Sequence, residues 1–221
     1  MSSRSRLYDA RMMRDAAGLL FTASDAWRGG AYELAMQLGP TDDARLRSAT
    51  EALWSFPALE GCYLEIDVEP SAQRRILLSE GPVDLDECLR GRASLPSGHG
   101  VACSTVAVRP EGEADWLFFG LSMGSLAKAY PVGAFPIEDG TSLAWREAID
   151  GWLKSLAAHV HERVGFQLGL VGWTDGAQDT AASIAANGVP EDRWFGYLLP
   201  DRDRLVWHPP NQGAPMSMGQ R

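Results

Sequence analysis

Residues 62–69 alternate strictly between apolar and polar side chains. Because successive side chains of a β-strand point to opposite faces, this pattern predicts a strand with one buried and one exposed face. The exposed face would carry a tyrosine and three carboxylates. The two sets are Cys62, Leu64, Ile66 and Val68 against Tyr63, Glu65, Asp67 and Glu69. The stretch therefore favours an α+β domain with an acidic surface.

Two helices are predicted to cover the sheet. Residues 142–164 have apolar side chains at helical spacing, and residues 41–56 follow a possible cap at Thr41 with two acidic residues in the first turn. The apolar stripe of the long helix comprises Trp145, Ile149, Trp152, Leu153, Leu156, Val160 and Val164. The residues outside that stripe include Arg146, Asp150 and Lys154.

Further strands are predicted at 32–38, 89–95, 100–109, 115–121 and 166–173, with a final hairpin of 194–199 and 204–207. In the first of these, Tyr32, Leu34, Met36 and Leu38 alternate with Ala31, Glu33, Ala35 and Gln37. The predicted fold is α+β, with a mixed or antiparallel sheet covered by the two helices. Residues 1–208 are expected to form one domain, and the Pro- and Gly-bearing residues 209–221 a disordered tail.

Charge narrows the possible partners. The 221 residues carry a formal net charge of −9, which argues against nucleic acid and against anionic membranes. An acidic surface favours a basic protein or another cation, although acidity can also serve solubility alone.

The three cysteines, Cys62, Cys88 and Cys103, have no CxxC spacing. Their number and spacing indicate reduced thiols. No apolar run reaches the roughly 20 residues of a membrane span, and no signal peptide is evident. We therefore expect a cytoplasmic protein.

The predicted partner-binding residues are Tyr63, Glu65, Asp67 and Glu69 on the acidic strand, with Trp27 and Arg28 in the loop at 24–30. Carboxylates steer and pair with basic groups, and Trp and Arg are frequent at interface hot spots. A cation site or a catalytic carboxylate pair is less favoured, since nothing converges these ligands or separates their pKa values. A merely solvated face is the remaining alternative.

Catalytic signatures are weak. His99 lies near Cys103 and Ser104, but no nucleophile motif frames them, so no catalytic residue is predicted. His159 and His161 are two residues apart on a helix and would point in different directions. No metal site and no cofactor are expected, since glycine-rich nucleotide motifs are also lacking.

Several segments together resemble a loose group of uncharacterised bacterial proteins. They are residues 32–35, 38–39, 53–54, 61–63, 115–117, 130–133, 152–153 and 166–172. This resemblance implies no functional residues. In general character the chain is also similar to immunity proteins of bacterial toxin systems, which are compact, acidic and rich in aromatic residues.

Three functional hypotheses follow. The first is a non-enzymatic protein-binding module, of the kind that neutralises a basic toxin or effector. The second is a hydrolase or small-molecule-binding enzyme that uses His99, Cys103 and a carboxylate. The third is a structural or regulatory subunit of a bacterial assembly, which would expose a contiguous apolar patch.

Overall fold

Eight strands form one antiparallel sheet in the computed structural model, which describes residues 21–78, 87–130, 142–174, 179–202 and 204–212. The spatial order is β2-β3-β4-β5-β1-β6-β7-β8. The strands are β1 (Ala31–Gly39), β2 (Leu59–Tyr63), β3 (Leu89–Ser94), β4 (Gly100–Val108), β5 (Asp115–Ser122), β6 (Leu168–Gly172), β7 (Gly196–Asp201) and β8 (Arg204–His208). The predicted α+β class is confirmed, and the sheet is antiparallel rather than mixed.

Four helices accompany the sheet within the part of residues 23–212 that the structure describes. They are α1 (Asp43–Trp54), α2 (Met123–Ala129), α3 (Ser142–His161) and α4 (Ala181–Asn187). The cap of α1 is Asp42 and not the predicted Thr41, since the Asp42 carboxylate accepts hydrogen bonds from Ala44 N at 2.9 Å and Arg45 N at 3.1 Å. A 3₁₀ turn occupies Pro70–Ala72.

The main core lies between one face of the sheet and helices α1 and α3. Trp152 of α3 is 7% exposed there, with its ring 5.6 Å from Phe56 and 5.9 Å from Phe119 between centroids. The predicted apolar stripe is buried from Trp145 to Val160. Burial of this area is the main source of stability for a fold of this kind.

A second, smaller core covers part of the opposite face. Its buried members are Ala35, Trp116, Leu168, Leu170, Ile184 and Tyr197. Helix α4 contributes the buried Ile184 and the partly buried Ala181 to this cluster. The part of this face over β4, β5 and β1 carries the groove described below.

The strand predicted at 62–69 is wrong beyond Tyr63, where β2 ends. The Arg90 guanidinium donates to the Leu64 carbonyl, so a side chain takes the place of a strand partner. Gln73 then holds the loop, accepting from Glu65 N at 3.1 Å and donating to Glu65 O at 2.7 Å. The alternation therefore does not separate two faces, and Leu64 and Ile66 are 41% and 40% exposed.

Residues 209–212 continue past β8 along the loop at 190–193. Asn211 N donates to Arg193 O at 2.9 Å, and Arg193 Nε donates to Pro209 O at 2.8 Å. The rest of the predicted tail, residues 213–221, lies outside the described residues.

Candidate binding groove

A groove of about 610 Å³ crosses four strands of the sheet on the face opposite α1 and α3. Cross-strand register arranges its floor in rows. One row contains Val106, Phe118, Ala35 and Leu170, taken from β4, β5, β1 and β6 in that order. Its volume lies within the range of small-molecule and peptide-side-chain sites.

Small side chains at the centre of the sheet create this depression. Ala35 is the middle residue of the floor, and Gly120 lies between Ser104 and Glu33 in the next row. A Cβ at Gly120 would be 2.7 Å from the Cβ of Ala31, so a side chain at this position would clash with Ala31.

Aromatic side chains form one end of the floor. The rings of Trp116 and Phe118, two residues apart on β5, are stacked at 5.9 Å between centroids with an interplanar angle of 26°. Phe118 is half-buried and Trp116 is 9% exposed. An aromatic face next to a groove can hold an apolar group or a cation.

Carboxylates surround this apolar floor. Glu33, Glu113 and Asp179 line the groove, and its described lining contains no Lys, Arg or His. The Thr174 hydroxyl donates to the Glu33 carboxylate, and the Tyr197 hydroxyl donates to Asp179 Oδ2 at 2.7 Å. Two of the three carboxylates are therefore held in place by hydroxyl donors, and the groove is electronegative.

One wall of the groove is fixed to the sheet through β1. The Gln37 side chain, 7% exposed, accepts a hydrogen bond from Ala181 N at 2.6 Å at the start of α4. Thr180 caps this helix through Ser183 N at 3.1 Å. These bonds satisfy the free amides of the first turn and position Thr180 and Asp179 beside the groove.

Thr174 of the wall follows Trp173, which packs on a buried polar network. Arg146, 2% exposed, lies with its guanidinium carbon 5.4 Å from the Trp173 ring centroid and donates to Trp194 O at 2.8 Å. Arg146 Nε also donates to the hydroxyl of Tyr32 at 3.0 Å.

Asp150 completes this network. Its carboxylate accepts the hydroxyl of Tyr32 at 2.6 Å and is 5% exposed. Burial raises the pKa of Asp150 to about 6, although Tyr32 and Arg146 act in the opposite direction. The network joins α3, β1 and the segment before β7 beneath the groove wall.

The residues predicted to bind a partner occupy different environments. Tyr63 is 6% exposed, with its ring 6.4 Å from that of Phe21. Glu69 is half-buried, accepts from the Thr22 hydroxyl at 2.6 Å and lies 3.5 Å from Arg92 Nη2. Of the four predicted binding residues on this stretch, Glu65 and Asp67 are exposed.

The aromatic loop lies beside this cluster. Trp27 is half-buried, its Nε1 donating to Phe21 O at 2.7 Å and its ring 5.2 Å from that of Phe21. Arg28 is exposed. Phe21 therefore brings Tyr63 and Trp27 together, whereas none of the six predicted residues lines the groove.

The two residues central to the hydrolase hypothesis lie in different environments, since Cys103 is buried and His99 is exposed. Cys103 lies in the main core at 0% exposure, and burial raises the pKa of its thiol well above the ordinary value. His99 is exposed in the β3–β4 turn, with Nδ1 3.0 Å from Ser97 Oγ. A protonated, buried thiol is a poor nucleophile.

Sequence reasoning identified the polar face of β1 but not its use. The alternation places Glu33, Ala35 and Gln37 together, and a small, polar strand face is the signal that could have marked a groove. The signal becomes specific only when β5 and β6 are known to flank β1.

Comparison of the chain with known protein families, curated proteins and solved structures finds no match. Within the described residues, no group of three or more His, Cys, Asp or Glu side chains could hold a metal ion. The described helices include none that is long and apolar enough to cross a membrane.

Proposed function

We propose that the protein is a non-enzymatic binding protein that accepts a basic segment of a protein partner in the groove. The observation that carries this proposal is the apolar floor bounded by Glu33, Glu113 and Asp179 without a basic side chain in the described lining. Lys and Arg side chains have apolar stems and charged ends, so they match a floor and rim of this composition.

The aromatic residues refine the fit. A guanidinium or ammonium group that reaches the Trp116 and Phe118 end would lie near an aromatic face, which attracts cations when water is excluded. The hydroxyl donors on Glu33 and Asp179 orient these carboxylates before a partner arrives. Preorganised groups lose less conformational entropy on binding.

A basic toxin or effector is the partner class that we propose. The net charge of −9 attracts a basic protein over a distance, and the groove supplies short-range contacts. Neutralisation would then result from covering a basic segment of that partner.

The proposal can be tested with two peptides of equal length. One contains Lys, Arg and Leu, and the other contains Glu at the basic positions. The indole N–H resonance of Trp116, assigned through Trp116→Phe, reports on the groove in a ¹H–¹⁵N spectrum. We expect the basic peptide alone to shift this resonance, with weaker binding as salt is raised.

A double variant of two groove carboxylates, compared with a control variant outside the groove, tests whether these carboxylates contribute to peptide binding. Glu113→Gln combined with Asp179→Asn should weaken binding of the basic peptide about 2- to 30-fold, since each of the two charges contributes roughly 0.2–1 kcal/mol. Glu111→Gln is the matched control, because Glu111 lies in the same β4–β5 loop but not in the groove lining. Equal binding of the acidic peptide, or equal effects of Glu111→Gln and the double variant, would contradict the proposal.

A further inference from the structure

A second groove, of about 530 Å³, lies between α3 and the β7–β8 hairpin. Leu198, Leu205 and Trp207 line its sheet side, and Leu198 is directly paired with Trp207 across the two strands. The helix side presents Gly151 and Ala158, whose small size leaves the space between helix and hairpin open.

This groove differs from the first in having cationic side chains in its described lining. Lys154 holds its Nζ 5.1 Å from the centroid of the Trp207 ring, and Arg204 lies on the rim. Arg204 Nη2 contacts Asp201 at 2.9 Å, but both side chains are largely exposed, so this pair is screened by solvent. The described lining also contains one carboxylate, that of Glu162.

We propose that this second groove binds a small organic anion with a planar aromatic body, of the aromatic carboxylate class. Leu205 and Trp207 offer the apolar surface for the body. Lys154, whose Nζ lies over the Trp207 ring, reaches the carboxylate beside it, with Arg204 as a second cation. A ligand of this size fits the volume, and a charge-assisted hydrogen bond fixes its orientation.

The cationic character is notable because the chain as a whole carries −9. General electrostatics therefore repels an anion, and binding must depend on the local pair Lys154 and Arg204. This requirement separates the proposal from nonspecific adsorption, which would follow the net charge or apolar area alone.

The test uses three probes with one aromatic body: 2-naphthoate, the neutral 2-naphthamide and the cationic 2-naphthylmethylammonium. Each is titrated into the full chain while the indole N–H resonances are followed, with Trp207 assigned through Trp207→Phe. We expect 2-naphthoate to bind tightest and to shift Trp207 while Trp116 stays unchanged. Equal binding of the amide, tighter binding of the ammonium, or no shift at Trp207 would overturn the proposal.

Substitutions then identify the cation. Lys154→Gln should lower 2-naphthoate affinity at least threefold and leave 2-naphthamide unchanged, as expected for the loss of one partly exposed charge contact. Arg163→Gln, an exposed cation just beyond the end of α3 and outside the groove lining, is the matched control. Equal losses in both variants would show that net charge, rather than the groove, determines binding.

This test is independent of the first groove. Trp116 and Trp207 lie in different grooves, and the two proposals require probes of opposite charge. Either proposal can therefore fail while the other is supported.

Discussion

At the scale of single residues, the buried Asp150 has the clearest consequence for stability. Its pKa is raised to about 6 by burial, compared with about 3.9 for an unfolded aspartate. The folded state therefore binds more protons than the unfolded state between these values. The resulting contribution is fully present below pH 4 and is lost as the pH rises through 6, and its full size is about 2–3 kcal/mol.

Asp150→Asn removes this titration while keeping the shape of the side chain. We take the free energy of unfolding of the variant minus that of the natural chain. This difference should increase by up to about 2–3 kcal/mol from pH 4 to pH 7, because only the natural chain loses stability as Asp150 ionises. Urea denaturation of both proteins at pH 4, 5, 6 and 7 measures this difference. The contributions of the other carboxylates cancel, because they are the same in both proteins. A difference that stays constant over this range would mean that Asp150 is not protonated preferentially in the folded state.

The same residues show where sequence reasoning stops. Helical periodicity places Arg146 and Asp150 outside the apolar stripe, yet they are 2% and 5% exposed. They are buried although they lie outside the stripe, because their partners come from elsewhere in the chain. Tyr32 lies on β1, and the carbonyl of Trp194 precedes β7. A helix pattern cannot show that distant groups satisfy a buried charge.

At the scale of elements, α3 depends on Trp152, which lies between Phe56 after α1 and Phe119 on β5. We predict that Trp152→Ala lowers the free energy of unfolding by about 3–5 kcal/mol, since it removes a large buried side chain and leaves a cavity. Thermal or urea unfolding measures this loss. Trp27→Ala, at a half-buried loop position, is the comparison and should cost less. A small effect of Trp152→Ala would refute its place in the core.

Two alternating segments explain why strands were predicted with unequal success. β1 pairs with β5 along one edge and with β6 along the other, so its alternating side chains lie on two real faces of the sheet. Residues 64–69 alternate equally well, but β3 pairs with β2 only as far as Tyr63. Alternation describes which faces a strand would have, whereas pairing decides whether the strand exists. The groove was beyond prediction for a related reason, since its floor needs the order β4-β5-β1-β6, which is not sequential.

At the scale of the whole molecule, charge is distributed unevenly around a total of −9. The groove on the open sheet face carries Glu33, Glu113 and Asp179, and the groove beside α3 carries Lys154 and Arg204. Glu65 and Asp67 are exposed on a loop at the β2 edge of the sheet and line neither groove. Such positions suit long-range attraction, while contact positions determine how long a partner stays bound.

This distinction predicts different kinetics for the two sets of carboxylates. Glu65→Gln combined with Asp67→Asn should slow association of the basic peptide, by about twofold at low salt, and leave its dissociation rate unchanged. Glu113→Gln combined with Asp179→Asn should mainly accelerate dissociation, because the proposed binding mode brings those carboxylates into contact with the bound peptide. Stopped-flow measurements at 20 and 200 mM salt separate the effects, since screening suppresses only the long-range part. Faster dissociation of the Glu65→Gln, Asp67→Asn variant would mean that these carboxylates contact the bound peptide. An unchanged association rate at low salt would mean that they take no part in recognition.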